Sequence, residues 1–253
     1  MRYVGGKSKI AANIAKVILE NTSNRSVYYE PFVGGGGMLP YMVPHFSRSE
    51  ISDISEDLVL MWQGLRQGWK PTIPFVISEE QYVSLKNEKP SALRGLVGFG
   101  GSFGGKWFGG YARGRNAHGQ PRNHQEESAM NVLSIISQLQ HCAVEFYRRS
   151  YSDIEPVAGD VVYCDPPYAG TEEYKAVGVF DKDKFWTKME EWSNKGVKVY
   201  VSEYNAPSHW HCIWEKKHQQ SLMTAEQGRR FIVEKLFTLN DNKSTNIFEE
   251  LSS

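Results

Sequence analysis

Residues 161–170 read VVYCDPPYAG. Asp165, Pro166, Pro167 and Tyr168 follow four β-forming residues with no polar alternation, the pattern of a strand buried on both faces. Neither proline donates a ladder hydrogen bond, so the strand must stop there. The residue before a proline is pushed to extended geometry. Asp165 and Pro166 therefore stand on a nearly fixed backbone, where the two prolines leave two carbonyls and no N–H beside the Asp165 carboxylate. Tyr168 adds an aromatic face. Such an edge suits a planar group carrying two hydrogens, of which the exocyclic amine of a nucleobase is one. The same residues also suit a strand merely ended by a Pro-Pro turn, and the stretch alone leaves both readings open.

A second group of residues lies upstream, in YEPFVGGGGML (residues 29–39). The glycines at 34–37 follow one apolar run and precede another. Glycines there let a ligand approach the backbone and leave a helix N-terminus free. Glu30 ends the first strand and Asp53 the next. An acid about 20 residues beyond such a loop is the position that holds a ribose diol in nucleoside-binding α/β sheets. For Asp53 a turn-forming role is the alternative; for Glu30, a local cap or a contact to a positive group on the ligand. A carboxylate-rich, glycine-lined site with no phosphate-binding lysine in its loop suits a nucleoside carrying positive charge, such as S-adenosylmethionine (SAM). NAD is the competitor, but Gly34 and Gly36 match only the first two glycines of G-x-G-x-x-G; the third place is Leu39.

These groups need a sheet to bring them together. The spacing predicts a helix over residues 9–20, a strand over 26–30, a helix starting within 38–43, a strand ending at Asp53 and a helix from Glu56. That is the opening of a doubly wound sheet. Further on, residues 126–140 predict a helix, 142–151 and 161–164 strands, 181–195 a helix with Gly196 as its C-terminal stop, and 197–205 another buried strand. Residues 229–240 predict a late strand, half of a terminal hairpin. The core is expected in residues 1–60 and 126–253. Residues 61–125 form an insertion, rich in glycine but studded with Phe99, Phe103, Trp107, Phe108 and Tyr111, too aromatic for simple disorder.

Composition bounds the rest. The 253 residues carry 29 basic and 29 acidic side chains, so any contact to nucleic acid must come from local patches. The insertion supplies one in Lys106, Arg113, Arg115 and Arg122. Cys142, Cys164 and Cys212 are scattered, which points to a reducing, cytoplasmic setting. Cys164 reads as a buried strand residue. No stretch has membrane length or the look of a leader. His118, His124, His209, His211 and His218 lack metal-ligand context and are expected at the surface; no metal site is expected.

Four pieces in order, RYVGGKSK, YEPFVGGGGML, SDISEDL and VVYCDPPY, resemble the Dam-type DNA adenine-N6 methyltransferases, in which the SAM motif precedes the DPPY motif. The likeness spans nearly the whole chain and is strongest to phage-type members. It implies a Rossmann-like α/β SAM-dependent methyltransferase sheet with residues 61–125 as an inserted target-recognition region. It implies SAM as methyl donor and S-adenosylhomocysteine as product, with double-stranded DNA as partner. Asp165, Pro166, Pro167 and Tyr168 would form the catalytic motif around a flipped adenine. Tyr3, Lys7, Glu30, Phe32, Gly34, Gly36, Asp53 and Tyr151 would bind the cofactor. Lys106, Arg113, Arg115 and Arg122 would contact DNA. Many relatives carry Asp-Phe or Asp-Tyr ahead of the motif; here Ser150–Tyr151 keeps the ring and loses the acid. Ser202 and Tyr204 are expected to border the adenine pocket. The resemblance leaves open the recognition sequence and the role, whether restriction partner beside a separate endonuclease, phage protection or regulation. Competing readings are an RNA or cytosine substrate, a catalytically silent DNA binder and a nicotinamide oxidoreductase.

Overall fold

The computed structural model describes residues 1–115, 118–167, 180–219 and 231–239. Its centre is a seven-stranded sheet: β1 (Val27–Glu30), β2 (Arg48–Asp53), β3 (Val144–Arg148), β4 (Val161–Cys164), β5 (Lys198–Glu203), β6 (His211–Gln219) and β7 (Phe231–Thr238), in the order β3-β2-β1-β4-β5-β7-β6. The first five run parallel, and β7 pairs antiparallel with both β5 and β6. The order turns back between β1 and β4. In an open α/β sheet the ligand crevice lies outside the strand ends at such a switch point.

Side-chain alternation explains why the sheet is covered on both faces. Tyr28, Ile51, Phe146, Val161, Tyr163 and Tyr200 face one layer, built from α1 (Ala11–Glu20), α2 (Leu39–Met42), α3 (Glu56–Arg66), α4 (Glu79–Lys86), α5 (Ala92–Gly100) and α6 (His124–Gln138). Tyr29, Val162, Cys164, Val199 and Val201 face the other, where α7 (Lys182–Asn194) lays down Phe185, Met189 and Trp192. Cys164 is fully buried, and all three cysteines are free thiols. Gly196 ends α7 as expected. At φ +86° it lets Val197 N–H reach the Trp192 carbonyl at 3.1 Å and its own N–H reach Ser193 at 3.0 Å.

The expected strands and helices of the core form within a few residues of their predicted bounds. The region with poor periodicity holds more than its sequence pattern shows: α4 begins with a capping box at Ser78 and Gln81, and α5 is capped by Ser91. Glycine suits α5 because its helix lies directly on α3: a Cβ at Gly95 would sit 2.3 Å from the Asp57 carbonyl oxygen. Residues 61 and 125 fall inside α3 and α6, and Phe75, Tyr82, Leu96, Phe99 and Phe108 join the same core as the sheet. The expected late strand forms as β7 over Phe231–Thr238 and pairs antiparallel with β6.

Candidate active site

The DPP edge lies where expected, at the end of β4. Asp165 Oδ1 accepts from Lys7 Nζ at 2.8 Å, and the same ammonium stands 3.1 Å from the Gly5 carbonyl oxygen and 3.7 Å from Glu234 Oε2. The Lys7 side chain is 3% exposed and that of Asp165 20%. Burial pushes the Asp165 carboxyl up to about 6; Lys7 pulls it down, while Glu234 and Glu203 push it further up. Pro166 is buried and Pro167 half-buried. Tyr168 lies outside the described residues.

Glu30 ends β1 at 2% exposure, and its Oε2 accepts from the Tyr28 hydroxyl at 2.8 Å. Burial raises its carboxyl to about 8; the Tyr28 bond opposes that, and Asp165 and Asp53 add to it. Asp53 ends β2. One oxygen accepts from Gly34 N–H at 3.0 Å and the other from Ser55 N–H at 2.9 Å, and burial still raises the acid to about 6. Asp53 thus folds the glycine loop onto β2, and its two oxygens keep lone pairs for further donors.

The glycines prove necessary for an internal reason. Gly34 has φ +44°, and a Cβ there would stand 2.7 Å from the Tyr3 ring; Gly36 has φ +71° and faces Trp62 at 2.5 Å. Trp62 Nε1 donates to the Gly34 carbonyl at 3.2 Å. The loop is therefore clamped between two aromatic side chains, and Tyr3 touches the loop itself as well as Phe99, at 4.9 Å between centroids. Phe32 stacks on Tyr151, centroids 5.6 Å apart, with Phe180 and Phe185 against the same pair. Ser150 caps the short turn that carries Tyr151. The sheet thus brings together Lys7, Glu30, Phe32, Gly34, Gly36, Asp53, Tyr151 and Asp165 along one edge.

The basic residues of the insertion are engaged by their own chain. Arg113 pairs with Glu79 and lies over the Tyr111 ring. Arg122 makes a two-pronged pair with Glu127 at 2.8 and 2.6 Å. Arg115 donates to the Gly119 carbonyl at 2.5 Å. Lys106 is exposed. Two expectations need correction. His124 is 3% exposed, not a surface histidine, because it opens α6 against the core; its Nδ1 stands 3.5 Å from Glu127. Ser202 is fully buried inside β5, with its hydroxyl 2.9 Å from that of Tyr163, so it ties two strands together. Tyr204 N–H donates to Glu203 Oε1 at 2.8 Å. His118, His209 and His211 are exposed, and His209 pairs with Glu190; the His218 side chain lies outside the described residues.

The residues that sequence reasoning missed are Glu203 and Glu234, 3% and 5% exposed. Glu203 accepts from Lys182 at 3.3 Å. A signal existed for Glu234: it is a lone acid inside the apolar run FIVEKLF.

A mostly parallel sheet with an antiparallel seventh strand between the fifth and sixth, a glycine loop after β1 and acids closing β1, β2 and β4, is the architecture of the Rossmann-like SAM-dependent methyltransferases. The family model of the D12 class N6 adenine-specific DNA methyltransferases matches residues 3–89 and 113–221, and this chain belongs to that family. Only residues 90–112 break the match between these ends. A type II methyltransferase, M.MjaIII of Methanocaldococcus jannaschii, is 32% identical over 94 residues, 35% of this chain. The matched part is 32% of that protein's length. The tRNA (m1A58) methyltransferase TrmI of Aquifex aeolicus is 9% identical at a TM-score of 0.35, covering 95% of this chain and 72% of its own. A SAM-dependent methyltransferase of Clostridium acetobutylicum is 10% identical at 0.33, covering 94% and 76%. Among the described residues no helix is long and apolar enough to cross a membrane.

Proposed function

We propose that the protein transfers a methyl group from SAM to N6 of an adenine flipped out of duplex DNA, at a specific site. The observation that carries this reading is the pairing of the Asp165–Pro166 edge with the Glu30 and Asp53 carboxylates across the switch point, in a chain of the D12 family. The residues fit SAM. Glu30 is a buried acid with a neutral hydroxyl as its hydrogen-bond donor, an environment that a cation would stabilise. Asp53 stands where a ribose diol would be held, and Phe32 and Tyr151 supply an aromatic wall. SAM supplies an electrophilic methyl group when bound.

The chain's own residues prepare the nucleophile. The adenine amine is weak because its lone pair is delocalised into the ring. The Asp165 carboxylate and the Pro166 carbonyl each accept one of its hydrogens, which favours a pyramidal nitrogen with a directed lone pair. Lys7 holds Asp165 in place. Positioning and electrostatics supply most of the rate, and no covalent enzyme intermediate is needed. Tyr168 stacks on the base once it has left the duplex. Residues 61–125 form the target-recognition region, where Lys106, Arg113, Arg115 and Arg122 contact the DNA backbone and bases. The enzyme works in the cytoplasm.

The test is incubation with methyl-labelled SAM and unmodified genomic DNA, followed by digestion and identification of the labelled nucleoside. N6-methyladenine in one short sequence motif is expected. Label on cytosine would overturn the base assignment, and transfer to RNA alone would overturn the substrate.

A further inference from the structure

Lys7 does not face one carboxylate. Its ammonium stands 2.8 Å from Asp165 Oδ1 and 3.7 Å from Glu234 Oε2, with the Lys7 side chain 3% and the Glu234 side chain 7% exposed. Glu234 comes from β7, which reaches the site only because it runs antiparallel between β5 and β6. An acid there is costly to bury unless it serves a charge. A purely structural β7 would be satisfied by an apolar residue, since Leu236 and Phe237 nearby already fill the core.

We propose that Glu234 is a positioning residue: it shares the Lys7 ammonium with Asp165 and so sets how strongly Asp165 accepts hydrogens from the substrate amine. This rests on the methyltransferase reading above. Were Lys7 committed to Asp165 alone, the carboxylate would be a weak acceptor, its charge largely offset by the ammonium. Glu234 draws on the same cation and restores basicity to Asp165. Its electrostatic effect runs that way, raising the Asp165 carboxyl against the lowering by Lys7. Among the described residues, the other charged or titratable groups around Asp165 are Glu203 on β5, which is held by Lys182 of α7, Tyr163 and Cys164 on β4, and Glu30 with Tyr28 on β1. Glu234 stands within ion-pair distance of Lys7, at 3.7 Å.

The proposal is tested with the full chain, by following kcat/KM for duplex DNA at saturating SAM against pH for the wild type, Glu234→Gln and Lys7→Gln. With SAM saturating, the acid limb reports ionisation in the enzyme–SAM complex, where the bound cation already holds Glu30 ionised and leaves the limb to Asp165. For the wild type it is expected near pH 6, where Asp165 titrates. Glu234→Gln should move it down by about one pH unit, and Lys7→Gln should move it up by a similar amount. At pH 8 Glu234→Gln should lose kcat about tenfold with little change in KM for SAM, and Glu234→Asp should recover most of the loss. A limb unmoved by Glu234→Gln, in a wild type that makes N6-methyladenine, overturns the proposal and leaves the proposed function standing. A wild type that methylates no adenine in DNA overturns both. Should Glu234→Gln not fold, carboxyl NMR of the wild type decides. A Glu234 carboxyl resonance that moves with the Asp165 step supports the proposal, and one that does not respond to it overturns it.

Discussion

The strand-end edge and the insertion carry charge in opposite ways. At the edge, Glu30, Asp53, Asp165 and Glu234 are acids drawn out of water by the sheet that presents them, and burial leaves the first three harder to ionise than usual. In the insertion, Arg113, Arg115 and Arg122 are cations in solvent, held loosely by partners a few residues away or on α4. The edge acts by fixed position and strong local fields, so single substitutions there should be costly. The insertion acts by summed charge, so single substitutions should be mild and dependent on salt.

The largest break is expected at Asp165. Asp165→Ala should bind SAM with near-normal affinity and lose at least 10²–10³-fold in single-turnover methyl transfer, the range for removing one group aimed at reacting atoms. Near-normal turnover would show that the edge does not hold the amine.

Gly34 tests whether the edge depends on its loop. Gly34→Ala puts a side chain at φ +44° into the Tyr3 ring at 2.7 Å, so the fold should lose roughly 1–3 kcal/mol in denaturant titration. Removing the ring with Tyr3→Ala should recover part of that loss in the double mutant, because the clash goes and the backbone strain stays. A strictly additive double mutant would mean that Tyr3 does not clamp the loop.

Glu30 should show its burial in pH dependence. A cation binds the ionised acid, and Glu30 titrates near 8, so SAM affinity should rise with pH and level off above about 8. Glu30→Gln should flatten that slope and cost about tenfold in affinity at pH 8. The sign for stability is the reverse. The folded acid is raised above its unfolded value, so its contribution is fully present below about 4.5 and is lost as pH rises through about 8. Without ligand, thermal stability attributable to Glu30 should fall over that window, and the fall should vanish in the glutamine variant.

The same contrast explains what the sequence let one read. The edge was legible because a parallel strand buried on both faces has a sharp sequence mark, and its ending is marked again by Pro31 or by Pro166 and Pro167. Position then follows from topology: an acid that ends a strand beside the switch point faces the crevice. The helices of the insertion escaped notice because Gly95, Gly98 and Gly100 in α5 answer to contacts with α3, Trp107 and Ser128, which are remote in sequence or unmarked by any period. Glu234 was missed for a related reason: nothing local says that β7 runs back between β5 and β6, and only that pairing carries its carboxylate to Lys7. Ser202 shows the limit from the other side. It lies near a strand end, yet alternation turns it inward onto Tyr163.

The smallest effects, and the ones that sharpen the contrast most, are expected in the insertion. Arg113, Arg115 and Arg122 each have a partner within the chain, and duplex DNA must compete with those partners for them. Exchange of Glu79 or Glu127 for a phosphate swaps one exposed ion pair for another, so little direct energy is gained; the gain comes from counterions released by the DNA. Glutamine at any one of the three should leave the fold and the turnover of bound DNA nearly unchanged. It should lower the slope of log K against log salt by about 0.9 for each phosphate contact removed. The triple variant should lower it by about three times as much and weaken binding at low salt far more than at high salt. Changing Glu79 or Glu127 to glutamine instead should free Arg113 or Arg122 and tighten binding slightly at low salt. An unchanged slope in the triple variant would take these arginines out of the DNA interface and leave recognition to other parts of residues 61–125, of which residues 90–112, with no counterpart in the family match, come first.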